Sequence, residues 1–197
     1  MSKRSTTEED LKAITIGEVK KLEGKIILVE YDQNWPVLYA REEQRLRSAL
    51  GARAVRIEHA GSTSVPGLVA KPIIDIVLVV ADSDDEAAYA PPLEAQGYTL
   101  RIREPDWFKH RLFKGPDTDV NVHVFSQGCP ETDRMLRFRD WLRANPGDRE
   151  RYANVKRKLA AQDWVFTQNY ADAKSEVVAE IMKRALGGAA KKRAKDP

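Results

Sequence analysis

The sequence predicts an α+β fold, with a mixed β-sheet flanked by helices and followed by a helical C-terminal part. The first observation is that segments of strand length with alternating or continuous apolar residues occupy the chain up to about residue 128. The second is that apolar residues recur at a period of about 3.6 from Glu131 onward. A third is the segment 73–80, which is apolar except at Asp75 and is typical of a strand buried on both faces.

Turn and capping signals place the other elements. Pro36 fits the first turn of a helix that begins near Trp35 and ends at Gly51. Gly115-Pro116-Asp117-Thr118 predicts a hairpin turn between strands at 108–114 and 120–125. The sequence also predicts a short helix at 8–14, strands at 54–59 and 98–103, a short helix after Ser83, and helices at 131–143, from 145, and at 169–186.

The domain organisation predicted from these elements is simple. We expect one domain over residues 25–186, with its sheet part at about 25–128 and its helical part at about 129–186. Residues 1–24 are polar and are predicted to form a flexible segment. Residues 187–197 contain a cluster of Lys and Arg after Gly187-Gly188, and they are predicted to form a disordered basic tail.

Composition narrows the class of protein. The chain has 197 residues, of which 42% are hydrophobic and 32% charged, as in a soluble globular protein. No apolar run approaches the roughly 20 residues that span a bilayer, and no signal peptide is evident, so no membrane partner is expected. Cys129 is the single cysteine, which excludes an intramolecular disulfide and favours a cytoplasmic location. The net charge of +3 arises in the basic tail, so nucleic-acid binding is not indicated.

A polar turn and a lone carboxylate carry the strongest functional signal. Gly61-Ser62-Thr63 precedes the apolar strand that contains Asp75. An isolated carboxylate in apolar surroundings is unfavourable unless a metal ion, a cation or several hydrogen bonds satisfy it. The hydroxyl and backbone N–H groups of the turn suit phosphate oxygens. Together these features predict a nucleotide-phosphate site with a metal ion.

One long motif resembles a known family. It reads Glu58-His59-x-Gly61-Ser62-Thr63-Ser64-Val65-Pro66-Gly67-Leu68-x-Ala70-Lys71-Pro72-Ile73-Ile74-Asp75-Ile76, and it is similar to the GrpB family. Tyr31-Asp32-x-x-Trp35-Pro36, Phe138-Arg139-Asp140 and Tyr170-x-x-x-Lys174 also resemble that family's pattern. The resemblance extends over residues 28–186, which is nearly all of the predicted domain.

The resemblance implies a polymerase-beta-like nucleotidyltransferase fold. In that fold a Gly-Ser turn follows the first strand, a pair of acids on the next strand holds Mg²⁺ against a nucleoside triphosphate, and a third carboxylate activates the acceptor. Gly61-Ser62 and Asp75 match the first two features, whereas Val77 stands where the second acid is expected. Asn121 and His123 stand where the third is expected.

Each candidate residue also has a structural interpretation. Gly61-Ser62-Thr63 could be a tight loop that caps a helix, and Asp75 could pair with Lys71 or Arg56. Lysines at i+4 from a tyrosine could lay their stems on the core, although helices in this part of the fold often cover the nucleotide. The candidates are, as catalytic residues, Asp75, His123, Glu58 and Lys174; as nucleotide-binding residues, Gly61, Ser62, Thr63, Lys71, Arg111, Lys156 and Tyr170; and as metal ligands, Asp75, His59 and His123.

The expected function is therefore that of an enzyme that binds a nucleoside triphosphate, with ATP as the first choice, together with Mg²⁺ or Mn²⁺. It would transfer a nucleotidyl group to a small-molecule acceptor, or adenylate or ligate that acceptor. Two alternatives remain open, a non-catalytic nucleotide or metabolite sensor and a transition-metal hydrolase using His59, His123 and Asp75. The sequence leaves the nucleotide, the acceptor and the oligomeric state open.

Overall fold

The computed structural model describes the backbone of residues 5–193 and the side chains of residues 5–187. The helices are α1 (Glu8–Ile14), α2 (Trp35–Leu50), α3 (Glu86–Ala95), α4 (Pro130–Ala144), α5 (Pro146–Ala160), α6 (Thr167–Ala173) and α7 (Ser175–Arg193). The strands are β1 (Arg56–Ala60), β2 (Ile74–Val80), β3 (Thr99–Glu104), β4 (His110–Lys114) and β5 (Val120–Ser126). The predicted α+β class is confirmed, because one mixed and mostly antiparallel sheet is flanked by helices and the last four elements are all helical.

The five strands form one mixed sheet in the order β1-β2-β5-β4-β3. β2 and β5 are parallel, and the other neighbouring pairs are antiparallel. Asp75 lies opposite Ala60 of β1 on one side and opposite Asn121 of β5 on the other. Because side chains alternate along a strand, Asp75, Asn121 and His123 emerge from the same face of the sheet.

The two faces of the sheet are covered differently. Ile74, Ile76 and Leu78 face the main core, where they pack with buried side chains of α2 and α3 such as Leu46 and Leu93. Each fully buried leucine or isoleucine contributes about 1.5–3 kcal/mol relative to an exposed one. The opposite face packs Val77, Val79 and Phe125 near Met135 of α4. Toward the start of β2 that second face gives way to polar side chains, and this polar end contains the candidate site.

A second core holds the turn after β1 against the C-terminal helices. It contains Val65, Leu68, Leu142, Tyr152 and Ile181, which come from the turn, α4, α5 and α7. The predicted helix at 169–186 is wrong in one respect, since the structure has two helices that meet at Lys174. There the backbone N–H of Lys174 bonds to Ala171, which is a tighter 3₁₀-type bond that interrupts the α-helical ladder.

The N-terminal segment contacts the domain. Leu11 of α1 is buried, and the hydroxyl of Thr6 donates to Asp172 of α6 at 2.6 Å. The backbone of Ile16 bonds to Arg101 of β3, and that of Leu22 bonds to Val165. Residues 1–24 are predicted to be flexible; these contacts come from residues 5–24, and residues 1–4 lie outside the described residues.

Two further expectations concern the C-terminal tail and the membrane. The predicted disordered tail begins within α7, which continues to Arg193, and residues 194–197 lie outside the described residues. None of the helices in residues 5–193 combines the length and apolarity needed to cross a membrane.

Candidate functional site

A close contact between Gly61 and Asp75 forms the corner of the site. β1 ends at Ala60, Gly61 has φ of 65°, and Ser62–Ser64 form one turn of 3₁₀ helix. A Cβ atom added to Gly61 would overlap the Asp75 carboxylate, and the positive φ is itself unfavourable for other residues. Only glycine therefore lets the turn lie directly against this carboxylate.

The turn borders a small cleft of about 70 Å³. The cleft lies between the turn, the starts of β2 and β5, and the helices α5 and α6. Its lining residues are Ser62, Thr63, Lys71, Ile73, Asp75, Asn121, Lys156, Tyr170 and Lys174. The structure thus brings together most of the predicted nucleotide-binding residues, from positions more than a hundred residues apart in the chain.

Three lysines converge on this cleft. Lys156 is buried, and its Nζ atom donates to the carbonyl of Val69 at 2.5 Å. The Nζ of Lys174 lies 4.4 Å from the centre of the Tyr170 ring, a cation–π distance. Burial and the charge of Lys71 together lower the pKa of Lys174 to about 8. Burial also lowers the pKa of Lys156 and of Lys71. Because the ammonium groups repel one another in a partly dry space, an anion in the cleft would be stabilised.

Asp75 is the carboxylate of the cleft. It accepts a hydrogen bond of 2.8 Å from the Asn121 side-chain amide, and its Oδ1 lies 3.6 Å from Nε2 of His123. Burial alone would raise the pKa of Asp75, but His123, the Asn121 hydrogen bond and the charge of Lys71 outweigh it and lower the pKa. Asp75 is therefore held as an anion among cationic and donor groups.

His59 lies on the other face of the sheet. It is stacked on Tyr39 of α2 with ring centres 4.7 Å apart, and burial lowers its pKa to about 4. Its Nε2 bonds at 3.1 Å to the hydroxyl of Thr63, which in turn donates to the carbonyl of Ile73 at 3.1 Å. The prediction that His59 joins Asp75 in a metal site is therefore wrong, since alternation along β1 directs it away. His59 instead supports the turn, and the Thr63 hydroxyl is committed to that support.

Glu58 shares the face of Asp75 but belongs to a different cluster. Arg139 of α4 donates to it at 2.8 Å, and Arg56 donates at 3.0 Å. Burial would raise the pKa of Glu58, but the hydrogen bonds from Arg139 and Arg56 outweigh burial and lower it. Neither Glu58 nor His123 is among the residues that line the cleft, but Glu58 is in addition engaged by two arginines, which does not support its predicted role as the base.

Arg111 was predicted to contact the nucleotide, and the structure contradicts this. Its side chain emerges on the face opposite Asp75, because Arg111 pairs with Val124 of the main core. It is 3% exposed, and it is hydrogen-bonded to Glu86 and, at 2.9 Å, to Asp84. Arg111 therefore holds the connection from β2 to α3 rather than a ligand.

The donor set at the cleft does not fit a two-ion metal centre. Two-ion catalysis needs several oxygen ligands placed to bridge both ions. Only Asp75 supplies a carboxylate to the cleft lining, Val77 is fully buried, and the Asn121 amide donates to Asp75. Within residues 5–187, no group of three or more His, Cys, Asp or Glu is arranged to hold a metal ion.

Three residues near the site were not among the candidates, although Asn121 was noted where the resemblance places a third acid. Asn121 lines the cleft, His110 bonds to His123, and Glu104 bonds to His110. The predicted hairpin joins β4 to β5, whereas Glu104 lies opposite His110 through the pairing of β3 with β4, which the sequence analysis did not predict.

The fold and the site define a class of small α+β proteins in which a Gly-Ser turn and a strand aspartate face a lysine-lined cleft. The family described as "GrpB protein" matches residues 25–184 of this chain. The chain belongs to the GrpB family.

Relatives and solved structures agree with this assignment. A UPF0157 protein of Halalkalibacterium halodurans is 65% identical over 179 residues, covering 91% of this chain and 92% of that protein. The crystal structure of the conserved protein GrpB from Enterococcus faecalis has a TM-score of 0.69 at 29% identity, covering 83% of this chain and 99% of that one.

Two more distant matches were found. The dephospho-CoA kinase of Mycobacterium tuberculosis is 36% identical over 155 residues, covering 66% of this chain and 38% of that protein. The Cid1 poly(U) polymerase has a TM-score of 0.45 at 10% identity, covering 84% of this chain and 51% of that one.

Proposed function

We propose that this protein binds a nucleoside triphosphate, of which ATP is the first to test, and transfers its nucleotidyl group to a small-molecule acceptor. Adenylation or ligation of the acceptor is a variant of the same reaction. The observation that carries the proposal is the convergence of Lys71, Lys156 and Lys174 with the Ser62 turn and Asp75 in one cleft. A bound polyphosphate would favour the charged forms of these three lysines, which then outnumber the one carboxylate.

The lysines would act on the phosphates. Lys174 and Lys71 are placed to neutralise the charge that develops on the leaving pyrophosphate, which is the kind of stabilisation that preorganised charges provide. Lys156 bonds to the Val69 carbonyl and holds the segment before β2, and a bound polyphosphate would favour its charged form. Ser62 supplies the hydroxyl of the turn, since the hydroxyl of Thr63 is committed to Ile73.

The transfer step would proceed from the side of His123. The acceptor attacks the α-phosphorus, a bond forms from the acceptor atom to that phosphorus, and the bond to the bridging oxygen of the pyrophosphate breaks. The proton of the acceptor passes to Nε2 of His123, which lies beside Asp75. His123 is favoured over Glu58 for this role because two arginines engage Glu58.

The divalent ion enters the proposal as part of the substrate. Mg²⁺ in proteins is commonly held by one or two carboxylates together with substrate phosphates. Asp75 is the one carboxylate that the cleft lining offers, which fits a single Mg²⁺ or Mn²⁺ delivered with the nucleotide.

Calorimetric titration with ATP, GTP, CTP and UTP, each with Mg²⁺ or Mn²⁺, tests the binding step. We expect binding by the wild type, weaker binding of the metal complex by Asp75→Asn, and at least tenfold weaker binding by Lys174→Met. Lys158→Met is the matched control, because Lys158 is exposed on α5 and lies outside the cleft. Absence of binding by the wild type with all four nucleotides would refute the proposal.

One observation favours a second candidate, a nucleotide or metabolite sensor without catalysis. Val77 is fully buried where the resemblance leads one to expect a second acid, and Asn121 stands near the place of the third. A sensor would bind tightly and release no pyrophosphate with any acceptor. Pyrophosphate release that depends on Asp75 would exclude it.

A further inference from the structure

A groove separate from the cleft lies on the other side of the turn after β1, bordered by the start of α2, the end of α4 and the start of α5. Its volume is about 510 Å³, whereas the cleft measures about 70 Å³. Small-molecule sites commonly measure about 300–1,000 Å³. The two spaces share no lining residue. His59 lines the groove and its hydrogen-bond partner Thr63 lines the cleft, so the turn is a wall between them.

Half of the groove lining is flat and largely apolar. The side chains concerned are those of Tyr31, Pro36, Tyr39 and Pro66. Tyr31 is held edge-on against Trp35 with ring centres 5.3 Å apart, and the hydroxyl of Tyr39 donates to the carbonyl of Ile57 at 3.3 Å. Side chains that are already fixed lose little further freedom when a ligand packs on them, which favours binding. The motif at 31–36, which contributes nothing to the lining of the cleft, therefore contributes to this groove.

Arg149 gives the groove a guanidinium group with one edge unoccupied. Its Nη1 donates to the carbonyls of Leu142 and Arg143 at 3.1 and 3.3 Å, which fixes the group against the end of α4. Among the side chains of residues 5–187, none forms a hydrogen bond or ion pair with its Nε or Nη2. The same edge of Arg184 binds Asp148, with Nε and Nη2 at 3.0 and 2.6 Å from the carboxylate oxygens. Two parallel N–H bonds of this kind match a carboxylate, so Arg149 is placed to hold one from outside the chain.

The charge around the groove is positive. No acidic side chain of the described residues is part of its lining, whereas Arg143 lines it together with Arg149. Nε and Nη2 of Arg143 both donate to the carbonyl of Ser64, at 2.9 and 2.8 Å, so Arg143 adds charge rather than free donors. Its carboxylate partner Asp140 is shared with Arg139. Burial lowers the pKa of Arg143, and the charge of Arg139 lowers it as well. Because like charges are crowded here, an anion in the groove would be stabilised.

We propose that this groove is a second binding site, which takes a small organic carboxylate with an apolar body. The free edge of Arg149 holds the carboxylate, and the tyrosine and proline side chains pack on the apolar part. One guanidinium edge supplies two donors, which satisfy a carboxylate but leave the third oxygen of a phosphate ester without a partner. The site is independent of the proposed function, because none of its residues lines the nucleotide cleft.

Phenylacetate is the probe, and a ¹H–¹⁵N NMR titration of the full chain locates where it binds. We expect saturable shifts of the backbone amides of Tyr39, Ser64 and Arg149, and no comparable shifts at Lys71 or Asn121 in the cleft. Acetate lacks the apolar body and phenylacetamide lacks the charge, so each should bind at least tenfold more weakly. Shifts centred on the cleft, or no saturable shift at the groove, would overturn the proposal. Tighter binding of phenyl phosphate than of phenylacetate would overturn the choice of a carboxylate.

A pair of variants in the first turn of α2 tests the groove without removing an arginine. Pro36→Glu places a carboxylate in the groove at a helix N-terminus, where an acidic residue is favourable, so the fold should be retained. The added charge repels the probe and competes for the arginines, and binding of phenylacetate should fall at least tenfold. Val37→Glu is the matched control, because Val37 is 64% exposed in the same turn and lies outside the groove lining. Equal binding by these two variants would refute the site.

A second pair of variants tests the two-donor edge. Arg149→Lys keeps the positive charge but replaces the planar fork by a single ammonium group, so phenylacetate should bind at least fivefold more weakly. Arg137→Lys makes the same change at an exposed position on α4 outside the groove, and binding should stay as in the wild type. Thermal unfolding shows that both variants are folded. Undiminished binding by a folded Arg149→Lys would mean that charge alone attracts the probe and that the proposed recognition is wrong.

Discussion

Asp75 and Asn121 lie side by side on two parallel strands, and the amide of Asn121 donates a hydrogen bond of 2.8 Å to the carboxylate of Asp75. The resemblance leads one to expect a third carboxylate near this position. Asn121 instead supplies a neutral hydrogen-bond donor. This arrangement stabilises the Asp75 anion without a metal ion and gives the cleft one carboxylate in place of several.

The hydrogen bond from Asn121 predicts how stability depends on pH. The pKa of Asp75 is lowered in the folded state, so its contribution is present above the unfolded value of about 3.9 and is lost as the pH falls through the folded value. Asn121→Leu removes the donor and should destabilise the protein by about 1–3 kcal/mol at neutral pH. Urea unfolding at a series of pH values measures both effects. An unchanged pH dependence in Asp75→Asn would contradict this account of the carboxylate.

Gly61→Ala should destabilise the protein strongly. The new Cβ would meet the Asp75 carboxylate, and positive φ alone adds about 1–2 kcal/mol for a residue with a side chain. Gly24→Ala is the matched control, because Gly24 has φ of 80° and nothing within 4 Å of the added Cβ. Thermal unfolding of the two variants should show a larger loss at Gly61. Equal losses would mean that the contact with Asp75 carries no constraint.

Lys174 predicts a rise in stability at alkaline pH. Its folded pKa of about 8 lies below its ordinary value of 10.5, so between these values the unfolded chain binds more protons than the folded protein. Unfolding free energy therefore increases as the pH rises through this window. Lys174→Met should flatten the increase, and Lys158→Met should leave it intact.

Nucleotide binding should weaken over the same pH window, because an anion favours the charged lysine. Denaturant titrations at pH 7 to 11 and calorimetry check the two effects.

Arg111→Met should damage stability without affecting the cleft. Removal of this buried guanidinium leaves Glu86 with Arg103 and Asp84 with Lys109 as their remaining partners, and we expect it to cost about 2 kcal/mol. Arg103→Met removes a second partner of Glu86 that is 47% exposed, and the expected loss is below about 1 kcal/mol. Both variants should bind nucleotide as the wild type does. A selective loss of binding in Arg111→Met would restore the role that the sequence suggested for it.

Local patterns predicted much of the site. The spacing of Tyr170 and Lys174 placed both on one side of a helix, and they do line the cleft. Glycine at position 61 next to two hydroxyl residues indicated a tight polar turn, and the structure has one. These inferences depended on residues close together in the chain, whose relative positions follow from the helical and extended periods.

The errors concern which face of the sheet a residue occupies. Alternation showed that His59 and Glu58 point to opposite sides of β1, but only the pairing of Ala60 with Asp75 decides which side holds the carboxylate. Arg111 posed the same problem on β4. Strand register is set by contacts between distant segments, and a shift of one residue exchanges the two faces. The engagement of Glu58 by Arg139 is likewise a contact between β1 and α4 that no local pattern contains.

The late position of α6 in the chain has a consequence for biosynthesis. Because α6 is among the last helices to leave the ribosome, a nascent chain that has already assembled its sheet still lacks two walls of the cleft. Ligand cannot assist the early stages of folding, and a product truncated before residue 167 would be expected to retain strands but capture no polyphosphate.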